Sequence, residues 1–237
     1  MKGLRAGVGI LGVLTDPGPR TARRPIRELT RTFLTLLQDF RGAFTQPSFV
    51  TFVVVLTGWG LSHRHRDVPE RIQSRGATPS GHHSRYHRFF SHARWSLDTR
   101  GVLLASLLVR TFAPVGLLEV ALDDPLGRKR GRTLYGVGMH HDPLIASRAK
   151  PLVSWGHDGG VLCLVLRCPF WAPTKVWSRP VRFRLYKNRP GLTKGQKGHK
   201  PKADPHHRTR PERARELLAV FAAWFADRQI LASADSA

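Results

Sequence analysis

Asp123 and Asp124 close an apolar run, Leu117-Leu118-Glu119-Val120-Ala121-Leu122, and Asp235 closes a second, Ile230-Leu231-Ala232-Ser233-Ala234. Acids delivered at the ends of buried strands suit hard divalent cations. Such ions choose carboxylate oxygens and usually need more than one. Many nucleases hold a metal in this way. The plain alternative for Asp123-Asp124 is a strand-ending turn, because Asp before Pro125 is a common turn signal. For Asp235 taken alone, two residues from the end of the sequence, a solvated terminus is the better reading. Two strand-end acids beside strongly basic segments favour the metal reading.

The charge balance points to the polymer such a site would act on. The sequence holds 39 Lys and Arg against 16 Asp and Glu, a formal charge of +23. Solubility needs far less, and neutralisation of backbone phosphates by Lys and Arg drives nucleic-acid binding. Arginine dominates, and its planar fork suits phosphate and guanine. Two segments are the candidate DNA contacts. One is the turn at 127–132, with Arg128, Lys129 and Arg130. The other is the long polar loop at 187–210, with Lys187, Lys194, Lys197, Lys200 and Lys202. Most charge runs are solvated faces; the place of this loop between a strand and a helix favours phosphate contacts.

Other reactive residues read more plainly. His63, His65, His82, His83, His87, His206 and His207 lack cysteine partners at zinc-finger spacing. His83 and His87 would share a helix face, but a packed or phosphate-contacting role is favoured. His157 beside Asp158 reads equally as a packed or phosphate-contacting residue and as part of a solvent-exposed turn. Cys163 and Cys168 read as reduced packing residues, consistent with a cytoplasmic protein.

The positioning elements follow from periodicity. A basic leader occupies 1–24. Helical spacing predicts helices over 26–40, 97–112 and 211–229, the last with Leu217, Leu218, Phe221, Trp224 and Phe225 on one side. The apolar segment 49–62 is too short to span a bilayer. It reads as a helix, with a strand as the alternative. Residues 155–160 read as a loop or the start of a hairpin. Val161–Leu166 reads as a central strand. Val181, Phe183 and Leu185 alternate with Arg182, Arg184 and Tyr186 as a half-exposed strand. The divisions expected are a disordered leader (1–24), a helical N-terminal region (25–115) and a catalytic domain (116–237). The order strand, strand, strand, helix, strand gives an α/β (α+β overall) fold: an incomplete ribonuclease-H-like mixed sheet with helices. A Gly-rich phosphate loop, needed for a doubly wound nucleotide fold, is absent.

Several motifs together resemble the DDE-type transposases of bacterial insertion sequences. Ser84-Arg85-Tyr86-His87-Arg88-Phe89-Phe90-Ser91 with Ala93-Arg94-Trp95-Ser96 is similar to the family's N-terminal signature. Leu122-Asp123-Asp124-Pro125 with Lys129 and Gly131 is similar to its first catalytic strand and turn. Gly136-Val137-Gly138, His141-Asp142, Trp155-Gly156-His157 and the segment 180–186 match later segments. Ala234-Asp235-Ser236-Ala237 is similar to the start of its second catalytic motif. The resemblance implies cutting and rejoining of DNA at element ends with two Mg²⁺ (or Mn²⁺) ions roughly 3.5–4 Å apart. It implies Asp123 and Asp235 as catalytic metal ligands. The family's first acid is followed two places later by Thr, which selects Asp123 and leaves Asp124 as the alternative, although Pro125 stands where that Thr is usual. It also implies a third acid, a Glu well downstream of Asp235. The chain therefore reads as the front part of a longer transposase, catalytically incomplete by itself. A homodimer is an open option, no membrane association is expected, and the location expected is the cytoplasm, at the nucleoid. The alternatives are a non-catalytic DNA-binding protein or transposition inhibitor, and a different metal nuclease on the same fold.

Overall fold

The computed structural model describes residues 23–62, 68, 82–131, 134–147, 149–167, 174–187 and 207–234. Its packing divides into two compact units, Met1–Ser96 and Leu97–Ala237. In the first unit lie helices α1 (Arg23–Gln38), α2 (Gln46–Leu61) and α3 (Ser84–Ser91). The segment read as helix or strand is the helix α2, with Pro47 in its first turn, where a missing N–H costs nothing. Its apolar residues serve two clusters. Phe49 and Val53 join Leu37, while Val54 and Val55 pack with Tyr86. A helix apolar on all sides is one buried on more than one side.

The second unit begins with α4 (Leu97–Phe112). Then come β1 (Leu118–Asp123), β2 (Gly127–Arg128), β3 (Gly138–His141), β4 (Val153–Arg167), β5 (Val176–Tyr186), α5 (Arg210–Trp224) and β6 (Ile230–Ala234). The 15-residue β4 is the central strand. Its first half pairs with β2 and β3, and its second half lies antiparallel between β1 and β5. β6 runs parallel to β1, with Leu118 opposite Ile230 and Leu122 opposite Ala234. The order β5-β4-β1-β6, with one parallel pair after a crossover helix, is a ribonuclease-H-like sheet.

The strand expected at 161–166 thus extends back through 155–160, which are strand and not loop. Helix α4 belongs by its packing to the second unit, so the compact units divide at 96/97, ahead of the 115/116 division read from the sequence. Gly101 shows why: a Cβ there would lie 2.6 Å from the Val181 carbonyl oxygen and 2.9 Å from the Trp224 ring. Only glycine allows this helix so near the sheet. Alternate residues of β1 and β4 (Leu118, Val120, Leu162, Leu164, Leu166) meet Ala105 and Val109 of α4 and Leu217 and Phe221 of α5 in one core.

The alternation expected in β5 is overturned on this face. Arg182 is buried and Phe183 is exposed. A β-bulge opposite Leu162/Cys163 inserts an extra residue, so Val181 and Arg182 both turn inward. The buried cation is paired: Arg182 Nη2 lies 3.2 Å from Asp98 Oδ1 and its guanidinium sits over the Trp224 ring. Arg184 bonds Asp98 Oδ2 and Glu216 Oε1, each at 2.7 Å, and so ties α4, β5 and α5 together. Among the described residues no helix is long and apolar enough to cross a membrane.

Candidate active site

Asp123 is the last residue of β1, opposite Val161 of β4, and its Oδ1 accepts the Asp124 amide at 2.9 Å. Both aspartates line a cavity of about 430 Å³ at the C-terminal ends of β1 and β6. Tyr186, Arg210, Arg213 and Ala234 form part of its wall. Two features position the elements that carry this wall, one at the cavity and one at the far end of β1. The first is the start of α5, closed by a capping box in which Thr209 N donates to Glu212 Oε2 at 2.7 Å. The second is the turn into β1, where Arg228, just before β6, donates to the carbonyls of Ala113, Pro114 and Gly116. Those carbonyls belong to the connection between α4 and β1, which Arg228 thereby pins. Leu118 N then bonds Gln229 O at 2.9 Å, which sets β1 and β6 side by side.

The electrostatics of the cavity centre on Arg210. Its guanidinium bonds Asp158 through Nε (3.1 Å) and Nη2, and its Nε lies 3.4 Å from Asp124 Oδ2. Asp158 is buried, and so is His140, whose Nδ1 is 3.2 Å from Asp158 Oδ2. The exposed-turn reading of His157-Asp158 is therefore corrected: both residues are in β4, and Asp158 anchors Arg210. Burial pushes the Asp124 carboxyl up; Arg210 opposes the shift, while Asp158 and Asp123 reinforce it. Burial also holds the His140 imidazole below its ordinary value, more strongly than Asp158 raises it. The two candidate ligands are therefore not equivalent. Among the described residues Asp124 is ion-paired with a guanidinium and Asp123 is not.

The basic residues fall out differently. Arg128 grips the buried Asp142 with a two-pronged bond of 2.6 and 2.9 Å and holds that carboxyl far below its usual range. Lys129 and Arg130 are exposed beside it. Lys187 bonds the Tyr135 hydroxyl and lies over its ring. Lys194, Lys197, Lys200 and Lys202 lie outside the described residues, as does Asp235.

The sequence reading missed Asp158, His140 and Arg210 as parts of one cluster. One signal was readable: Thr209-Arg210-Pro211-Glu212 is a capping-box pattern that places Arg210 in the first turn of a helix. Pairing across β4 and β3 was not readable. Among the described residues no group of three or more His, Cys, Asp or Glu is placed to hold a metal, His83 and His87 included. Asp123 and Asp124 nevertheless offer hard oxygen donors in one cavity, and that donor chemistry fits Mg²⁺ or Mn²⁺.

A ribonuclease-H-like sheet with carboxylates at the end of its first strand defines a class of phosphodiester-cleaving proteins. Within it, the chain matches the family model of the DDE superfamily endonucleases over residues 27–237 and belongs to that family. The resemblance to DDE-type endonucleases read from the motifs is thereby borne out. No curated protein and no solved structure matches the chain. Membership implies DNA as the bound polymer and strand cleavage of the transposase type.

Proposed function

We propose that the cavity at the ends of β1 and β6 is the catalytic centre for DNA strand cleavage and transfer at insertion-sequence ends, with Asp123 and Asp235 as its metal ligands. One observation carries this reading. Leu122 and Ala234 are partners in a parallel register, and the next residues in sequence are Asp123 and Asp235. Parallel strands in register turn equivalent residues to the same face. A bound pair of Mg²⁺ or Mn²⁺ ions would activate the attacking oxygen and stabilise the leaving one. Asp123 and Asp235 hold the ions. Arg210, anchored on Asp158, sets the position of Asp124 and keeps it out of the ligand role. Lys129, Arg130 and the lysines of 187–202 supply phosphate contacts, and DNA as partner places the protein at the nucleoid.

Asp123 and Asp235 are two acids where the chemistry calls for three, and little or no cleavage by these two alone is expected. A nuclease assay on duplex DNA with Mg²⁺ or Mn²⁺ tests both parts. Any cutting must need the metal and vanish in Asp123→Asn. Cutting that survives that substitution contradicts the site, and robust cutting by the wild-type chain contradicts the incompleteness. The second reading is a DNA-binding protein that occupies element ends without cutting, and the formal charge of +23 supports binding with no need of a metal site.

A further inference from the structure

A second cavity, of about 370 Å³, lies within the N-terminal unit between the first turn of α2 and one face of α3. Arg85, Arg88 and His92 line it together with Pro47, Ser48 and Thr51. The three basic side chains stand at i, i+3 and i+7, the spacing that stacks residues along one helix face. Arg85 is fixed in place: its Nε donates to Thr51 Oγ1 at 3.1 Å and its Nη2 to Pro47 O at 3.2 Å. Thr51 is itself buried. Arg88 is exposed, and His92 has its Nδ1 beside Ser91 Oγ at 2.6 Å. Among the described residues no carboxylate lines the cavity. The sequence of this stretch is poor in acids: residues 41–96 contain eight arginines against two acids, Asp67 and Glu70. Among the described residues the cavity therefore gathers cations without a counter-anion, beside a helix start whose partial charge has the same sign.

We infer that this cavity is a binding site for a phosphate group, filled by the backbone of duplex DNA. Arg85 is the fixed wall, Arg88 is the exposed donor that turns onto the phosphate oxygens, and His92, its Nδ1 engaged by Ser91, offers its other ring nitrogen. A guanidinium in such a place offers two parallel donors to an oxyanion. The site extends the reading of the chain as a DNA-binding protein to its helical unit, but it does not depend on the carboxylates of β1 and β6.

The test is fluorescence anisotropy of the full chain on a labelled duplex across a range of KCl concentrations. Arg88→Gln/His92→Gln changes two exposed side chains and leaves Arg85 and its bonds intact. The slope of log K against log salt should fall by about one unit, the effect of losing one phosphate contact. Arg88→Lys, which keeps the charge, should restore most of it. The titration is run without divalent metal, so its outcome does not depend on the carboxylates at the ends of β1 and β6, and failure of the catalytic reading and failure of this one are distinguishable. A parallel titration with inorganic phosphate separates the sources. Phosphate binding lost in the double variant, with an unchanged DNA slope, assigns the cavity to the free ion. An unchanged DNA slope together with unchanged or absent phosphate binding overturns the site.

Discussion

Asp158 and Arg210 are chemically the least expected pair in the chain, because an aspartate with 1% of its surface exposed holds an arginine at a cavity mouth. Removing one partner of a buried ion pair leaves a desolvated charge and costs about 3–5 kcal/mol. The half-exposed Arg210 places this pair at the lower end, so Arg210→Gln should lower unfolding stability by about 3 kcal/mol in a urea titration. Asp123→Asn, at an exposed strand end, should change it by less than about 0.5 kcal/mol. Similar losses in both would mean that Asp158 is not the anchor. His140 adds a pH signature. Above its ordinary value of 6.5 the imidazole is neutral in both the folded and unfolded states. Below it the unfolded chain takes up the proton first, and stability falls until the depressed folded value is reached. Denaturation midpoints should therefore drop as pH is lowered from about 6.5, and this drop should flatten in His140→Gln.

At the level of elements, the fold depends on α4 and α5 lying on one face of the sheet. Gly101→Val would force side-chain atoms against the Val181 carbonyl and Trp224, and should cost about 1–3 kcal/mol. Thermal unfolding checks this; a stability equal to wild type would mean that α4 is not held so close. Asp98 and Glu216 tie these helices to β5. Arg184 holds the Asp98 carboxyl below its ordinary value, and Arg184 and Arg213 together outweigh burial to lower that of Glu216. Their contribution is present above the usual carboxylate range and is lost as pH falls below about 4. Much of this architecture was legible in the sequence. Period 3.6 marked the helix at 97–112, and the apolar runs marked the strands ending at Asp123 and Ala234. The facing of β5 was not legible. A bulge shifts side-chain parity without any local sequence signal, and arginines on a core-facing side look like solvent-facing ones until their acids on other elements are known. The first half of β4 read as a loop because Gly156, Gly159 and Gly160 are turn residues by type. They are used here for close approach, with Gly156 packed against the backbone of β2.

For the whole molecule, a charge of +23 spread over two compact units makes DNA binding an electrostatic sum. Affinity should fall steeply with salt and should hardly change in Asp123→Asn or Asp124→Asn, because neither acid contacts phosphate without a metal. The polymer and its sign of charge were legible from composition alone. The strand-end acids were legible from pattern and the motif resemblance already selected Asp123; the guanidinium beside Asp124 supports the same choice. The most direct measurement is Mn²⁺ binding by the purified chain, followed by electron paramagnetic resonance. Asp123→Asn and Asp235→Asn should each weaken binding at least tenfold, about 1.4 kcal/mol, and Asp124→Asn should leave it nearly unchanged. Loss of binding in Asp124→Asn alone, with Asp123→Asn and Asp235→Asn like wild type, would contradict the account.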